Sequence, residues 1–381
     1  MDLKHNEMQV ERERLVNEVL TKIQEVDLSK IKVLLGFDGF IDEILHVVDK
    51  RINCQQYERL LTMSEFGKKI VNSSGLSMNI EMVAVEQKIG GNGTILANAL
   101  ANQGMDVTYI GALGERPIHP LYVLMGKRCK LISICEPAHT SAIEFLDGKI
   151  ISSTLEAFNG ITWKKIEDKV GKSTLKELIS NANIIGFLNW TMVLSMTDIW
   201  RHLLTEILPL MDRNRLKEKI LFVDLADPEK RDPSDIRQAL WLLEELSAYF
   251  TVVLGLNQKE AGEIAELRGY KLKDIRQEDT GELTGYIRNN LNIDMVVVHS
   301  VKEACIATLN EVKQVEGFYC SHPKLSTGAG DNFNAGFILG CASGCSKEGS
   351  LLLGCASSGY YVKYGMSANL DQICDFMRVV D

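Results

Sequence analysis

The chain has 381 residues, of which 45% are hydrophobic and 24% charged, and a formal net charge of −9. That length suits one large domain with an accessory, or two domains; the composition is that of an ordinary globular protein, and the acidic balance argues against a nucleic-acid or acidic-membrane surface. Nine cysteines with no Cys-x-x-Cys pair, a start (MDLKHNEMQVERERL) without the apolar stretch of a secretory signal, and no apolar run of membrane-spanning length predict a soluble, cytoplasmic protein with reduced thiols.

In chain order, residues 8–26 place Leu15, Val16, Val19, Leu20, Ile23 and Val26 on one stripe among charges, which predicts an amphipathic N-terminal helix over about 1–30. The apolar run Ile31–Leu35 predicts a buried strand, followed by a glycine-containing loop that carries Asp38 and Asp42. The segments EILHVVDKRI and EMVAVEQKI alternate apolar and polar residues, as strands with one wet face do. A Gly90-Gly91 turn then leads into a small-residue helix, Thr94–Asn102, and a strand around Val107–Ile110. In SAIEFLDGKIISST, two alternating strands flank Asp147-Gly148, a dipeptide favoured in two-residue hairpin turns.

From about residue 180 the pattern changes. NIIGFL, KILFVDL, TVVLGLN and DMVVVHS are short apolar strands, each followed by a longer stretch with helical spacing, and residues 331–364 read as consecutive helices. Such alternation predicts an α/β core with a doubly wound, mostly parallel sheet flanked by helices. Strands from about 43–88 and 121–155 would form an accessory β-rich lid on a domain spanning 31–381. Its unpaired edges suggest a homodimer through the lid strands.

Two segments could hold phosphate. GKST at 171–174 lacks the glycine five positions earlier that a P-loop needs, since Ile166 stands there, and the preceding WKKIEDKV looks helical. A turn in which Ser173 or Thr174 caps the next helix is the simpler reading. STGAGDNFNAGF at 326–337 is more telling. A bare backbone entering a helix can aim consecutive N–H groups at a phosphoryl group, and Asp331 beside it could accept a hydroxyl proton. Taken alone, an ordinary turn with Asp331 as a cap fits as well. Further back, Asn257 and Glu260 stand where a strand meets a helix. They could order phosphate and a hydrated magnesium, or form a capping box. Both placements lie at the carboxyl ends of strands, where open parallel sheets bind ligands.

With GFDGFIDEIL, GGNGTILANALANQG, LNQKEA and TGAGDNFNAGF in this order over about 31–365, the chain resembles the ribokinase-like (PfkB) family of carbohydrate kinases. The resemblance implies a doubly wound sheet with a small β-rich lid, and transfer of the γ-phosphoryl group of ATP, with Mg2+, to a hydroxyl of a sugar or sugar-like metabolite. By position it implies Asp331 as catalytic base and Gly328, Ala329 and Gly330 as anion hole. Asn257, Glu260 and Thr327 fall on the nucleotide and magnesium side, with Glu260 reaching the metal through water. Asp42, with Asp38 as a second acid, and Gly90, Gly91 and Asn92 fall on the substrate side. The chain departs from the family pattern at Ile95, where a sugar-binding Asn is usual, and at Leu325, where an acid associated with a monovalent cation is usual. It departs again at 301–305, where VKEAC replaces a glycine-containing nucleotide loop. These departures keep two alternatives open: a non-catalytic sugar or nucleotide sensor on the same fold, and a kinase for a nucleoside or a sugar phosphate.

Overall fold

The computed structural model describes residues 2–115, 117–272, 274–275 and 277–378. Its strands, in chain order, are β1 (Lys32–Phe37), β2 (Phe40–Arg51), β3 (Tyr57–Arg59), β4 (Met82–Gly90), β5 (Asp106–Ala112), β6 (Cys129–Cys135) and β7 (Ala138–Phe145). Then come β8 (Gly148–Thr154), β9 (Ile184–Leu188), β10 (Ile220–Asp224), β11 (Thr251–Asn257), β12 (Met295–His299), β13 (Glu303–Ala307) and β14 (Val312–Glu316).

The larger sheet runs in the order β14-β13-β12-β11-β10-β9-β1-β5-β6 and is parallel from β12 to β6. Short apolar runs become its central strands because helices cover both faces, so a strand such as β9 buries every residue. An antiparallel pair, β13 and β14, extends one edge in a region where the apolar pattern predicts no strand. Strand β1 has β5 on one side and β9 on the other, which makes its carboxyl end the point where the winding reverses.

The N-terminal helix, Asp2–Glu25, docks rather than projecting: Leu15, Val16, Val19 and Ile23 are buried in the same apolar cluster as Leu351, Leu352 and Cys355 of the helix Lys347–Tyr364. Glu18 Oε1 also accepts a hydrogen bond from Ser346 N at 3.0 Å.

The smaller sheet follows β3-β2-β7-β8, with β4 pairing β2. It rests on its own apolar cluster of Leu45, Val47, Leu60, Phe66, Ile143 and Phe145. Four expectations shift here. Residues 129–135, assigned to the lid from their pattern, pair with β5 and belong to the larger sheet. Asp42 is not in a loop but is the third residue of β2, because Asp38-Gly39 alone make the turn from β1. The β7–β8 hairpin turns on Leu146-Asp147, since Phe145 pairs with Gly148. At 171–174, Gly171 caps the helix Lys172–Asn181 without a side-chain bond, so neither Ser173 nor Thr174 plays that part. Among the described residues, no helix is long and apolar enough to cross a membrane, and all nine cysteines are free thiols.

Candidate active site

The central parallel strands each reach a polar residue at or just beyond their carboxyl end: Asp38 after β1, Asn189 after β9, Asp224 on β10, Asn257 on β11 and His299 on β12. Apolar strands under two helical layers leave only these ends free to carry polar groups, so the sheet itself gathers them.

Asp38 is 0% exposed. Its Oδ1 accepts from Gly93 N (3.1 Å) and the Tyr109 hydroxyl (2.8 Å), and its Oδ2 from Asn189 Nδ2 (2.9 Å). Burial pushes its carboxyl up to about 6, against the pull of the Asn189 and Tyr109 hydrogen bonds. The acid expected beside the sugar is instead sealed beneath the double-glycine turn and pins that turn to the sheet. Gly91 has φ +98°, and a Cβ there would lie 2.9 Å from Asp38 Oδ2. At Gly90, an added Cβ would fall on the Asp42 carboxylate. The glycines let Asp42 and Asp38 approach the turn closely, one at each of its two residues.

Asp42 faces Lys88 across β4 and Thr140 across β7. Burial raises its carboxyl, opposed by the Lys88 charge, the Thr140 hydrogen bond and the Lys149 charge. It lines a cleft of about 160 Å³ under the lid, with Gly91, Asn92, Lys149, Asn189, Leu325 and Thr327. Thr327, expected on the nucleotide side, belongs to this cleft, where its hydroxyl contacts Lys149 Nζ.

A second cleft, of about 490 Å³, lies beyond the loop and is lined by Asn257, Lys259, His299, Ser326, Ala329 and Gly330 among others. His299 packs at a tilt on Phe333, with ring centroids 4.7 Å apart, and burial lowers its imidazole to about 4, so it is neutral at physiological pH. The segment 326–330 is therefore a thin wall with a cleft on each face.

Asp331 sits at the first turn of the helix Ala329–Ala342, 5% exposed, with Asn92 Nδ2 donating to its Oδ1 at 3.0 Å. Burial, and then the charges of Asp224 and Asp38, push its carboxyl well above the ordinary range. Gly328 caps this helix at φ +92°. Ala329 N donates to Ser326 O at 3.2 Å and so is occupied by the turn, while Gly330 N and Asp331 N carry no hydrogen bond to the described residues.

Asn257 and Glu260 do form the capping box: Glu260 N donates to Asn257 Oδ1 at 3.0 Å, and Asn257 N to Glu260 Oε2 at 2.9 Å. Glu260 Oε1 also accepts from Asp227 N at 2.9 Å. Asp224 was missed by motif reading. Its charge acts on Asp331, its own carboxyl is raised by burial and by Glu260, and it accepts from Asn334 Nδ2 at 2.9 Å. The buried Asn334 Oδ1 beside it has no partner among the described residues. Asn189 and Asp224 were detectable as polar residues ending apolar strands. Lys88 and Lys149 were not, because only the lid's register brings them to Asp42.

An open, doubly wound sheet with ligand clefts over its carboxyl ends, a β-lid and a buried acid at a glycine-rich helix start define a carbohydrate kinase of the ribokinase-like class, a phosphotransferase acting on an alcohol group. Among solved structures, the fold matches Arabidopsis thaliana ribokinase complexed with ribose and ATP (TM-score 0.62, 16% identity, 92% of this chain and 99% of that one). It also matches a putative ribokinase II from E. coli in complex with ATP and Mg2+ (TM-score 0.63, 12% identity, 91% and 99%). The sequence model for prokaryotic ketohexokinase matches residues 9–379, and the chain belongs to that family. It is 27% identical over 347 residues to a ketohexokinase of Haloferax volcanii, covering 91% of this chain and 90% of the relative.

Proposed function

We propose that the acceptor is a ketohexose held under the lid, that the donor is ATP, and that Asp331 removes the proton from the attacking hydroxyl. The arrangement of the 326–330 loop carries this reading: Thr327 lines the lid cleft, Ser326, Ala329 and Gly330 line the cleft behind it, and the buried Asp331 follows Gly330 and is hydrogen-bonded to Asn92 of the lid cleft. Sugar hydroxyls would meet Asp42, Asn92 and Asn189, which offer a carboxylate and amides. The hydroxyl oxygen attacks the γ-phosphorus, its proton passes to Asp331, and ADP leaves. Charge on the transferring oxygens would be met by the Gly328–Gly330 backbone at the helix start, with Gly330 N and Asp331 N as the unengaged donors. The raised proton affinity of Asp331 suits a general base better than an ordinary, weakly basic aspartate would.

Magnesium needs few protein ligands because it keeps most of its water. Asp224 and Glu260 fit that demand as buried acids, and the unpartnered Oδ1 of Asn334, whose Nδ2 bonds Asp224, could accept from a metal-bound water. When bound, the ion would neutralise donor phosphate charge. A coupled assay of ADP release over ketohexoses, aldohexoses, nucleosides and sugar phosphates tests the substrate. Turnover should be greatest with a ketohexose; preference for a nucleoside, or sugar binding without any turnover, would contradict it.

The assembly follows from the lid. Strand β4 pairs only β2 among the described residues and exposes Met82 and Val85, a combination that favours pairing with a second copy. Light scattering should give twice the 42.6 kDa chain mass, and Val85→Lys should return the monomer; a monomeric parent would contradict the pairing.

A further inference from the structure

Asp42 and Lys88 have a second side. Behind them, away from Asn92 and Asn189, opens a cleft of about 370 Å³ between β4, the helix Asn92–Asn102 and the segment 366–372. Its floor is apolar, with Ile95 and Tyr361, and its rim carries Lys88, Asn98, Arg128 and Gln372. Arg128, exposed at the cleft, is held by a contact from its Nη1 to the Oδ1 of Asn102, which also lines it. Among the described residues, neither Lys88 Nζ nor the Asn98 amide makes a hydrogen bond or ion pair, so these donors remain available. In a chain of net charge −9, a pocket whose ionisable lining is Lys88 and Arg128 against Asp42 is locally cationic. It combines an anion-binding end with amides and a carboxylate suited to hydroxyls.

From the convergence of Lys88, Arg128 and Asn98 on a cleft that shares Asp42 and Thr327 with the lid cleft, we propose a second binding site, for a phosphorylated sugar. The phosphate lies between Arg128 and Lys88, and the hydroxyls face Asn98, Gln372 and Asp42. Because Asp42, Lys88 and Thr327 line both clefts, an occupant here withdraws Asp42 from the acceptor. A sugar phosphate therefore inhibits in competition with free sugar, without being phosphorylated itself. Binding at the site stands apart from the kinase reading, which supplies only the choice of probe and the competition through Asp42.

The test is calorimetric titration of the full chain, without nucleotide, with a ketohexose 1-phosphate, a ketohexose 6-phosphate and inorganic phosphate, together with initial rates on free ketohexose. A sugar phosphate should bind the parent more tightly than inorganic phosphate and compete with the sugar. Arg128→Ala should weaken that binding about tenfold or more, the scale of one charge-assisted hydrogen bond, and Asn98→Ala about threefold or more, the scale of a neutral one. Both should keep kcat and sugar KM within about twofold, and thermal melts should show that both fold. Product held in the lid cleft would not respond to Arg128, so unchanged affinity in both variants overturns the second site. Absence of binding to the parent overturns it too, and equal affinity for inorganic phosphate overturns its assignment to sugar phosphates. A chain that binds sugar phosphate through Arg128 but phosphorylates no sugar would refute the kinase reading alone.

Discussion

Two buried aspartates separate at the scale of single residues. Asp38 has three donors on its two oxygens and lines no cleft, whereas Asp331 has Asn92 alone among side-chain donors, and that Asn92 lines the lid cleft. Asp38 is thus a brace. Its folded carboxyl, at about 6, lies above the unfolded value of about 3.9, so the unfolded chain releases this proton first as pH rises. The stability associated with it is complete below pH 4 and is lost as pH climbs through 6, by about 3 kcal/mol for a shift of roughly two units. Denaturant melts of the parent minus those of Asp38→Asn should show that decline between pH 4 and 6.5; a flat difference would contradict the raised carboxyl. Asp331 must be ionised to act as a base, so its raised proton affinity places the acid limb of kcat/KM above the pH at which an ordinary aspartate titrates, about 3.9. The motif TGAGD made Asp331 legible. The same kind of reading misplaced Asp38, because neighbours far apart in sequence, Tyr109 and Asn189, decide which way an acid faces.

Among elements, the turn from β4 into the helix Asn92–Asn102 has the most demanding geometry. Gly90 has no positive φ, so alanine suits its backbone, but the added Cβ meets the Asp42 carboxylate. Gly90→Ala should raise sugar KM at least about tenfold with the melting temperature little changed, because the displaced group lies in the cleft rather than the core. An unaltered KM would mean Asp42 does not touch the sugar. Elements were the most legible scale. Runs such as TVVLGLN carry their strand in composition, and their polar last residue marks the ligand edge. The lid was legible as alternation, but not its pairing, so Asp42 was expected in a loop and 129–135 in the lid. Alternation reports a wet face and says nothing about which sheet a strand joins.

Over the whole molecule, the N-terminal helix counts as part of the kinase body. Ile23 is buried with the helix Lys347–Tyr364, whose Cys355, Ser358, Gly359 and Val362 line the cleft behind the loop. Ile23→Ala should cost about 2–5 kcal/mol in a single cooperative transition followed by urea melting. A separate early transition would make the helix an independent appendage. The order of motifs along the chain disclosed the sheet and the acid at its edge, while the two clefts on either face of the 326–330 loop emerge only when both sheets are in place. The role of Asp331 beside that loop is tested most directly by Asp331→Asn, with turnover and sugar binding measured on the same protein. Turnover should fall by about 10²–10⁴-fold while the dissociation constant for the sugar stays within a few-fold; turnover near that of the parent would contradict Asp331 as the base.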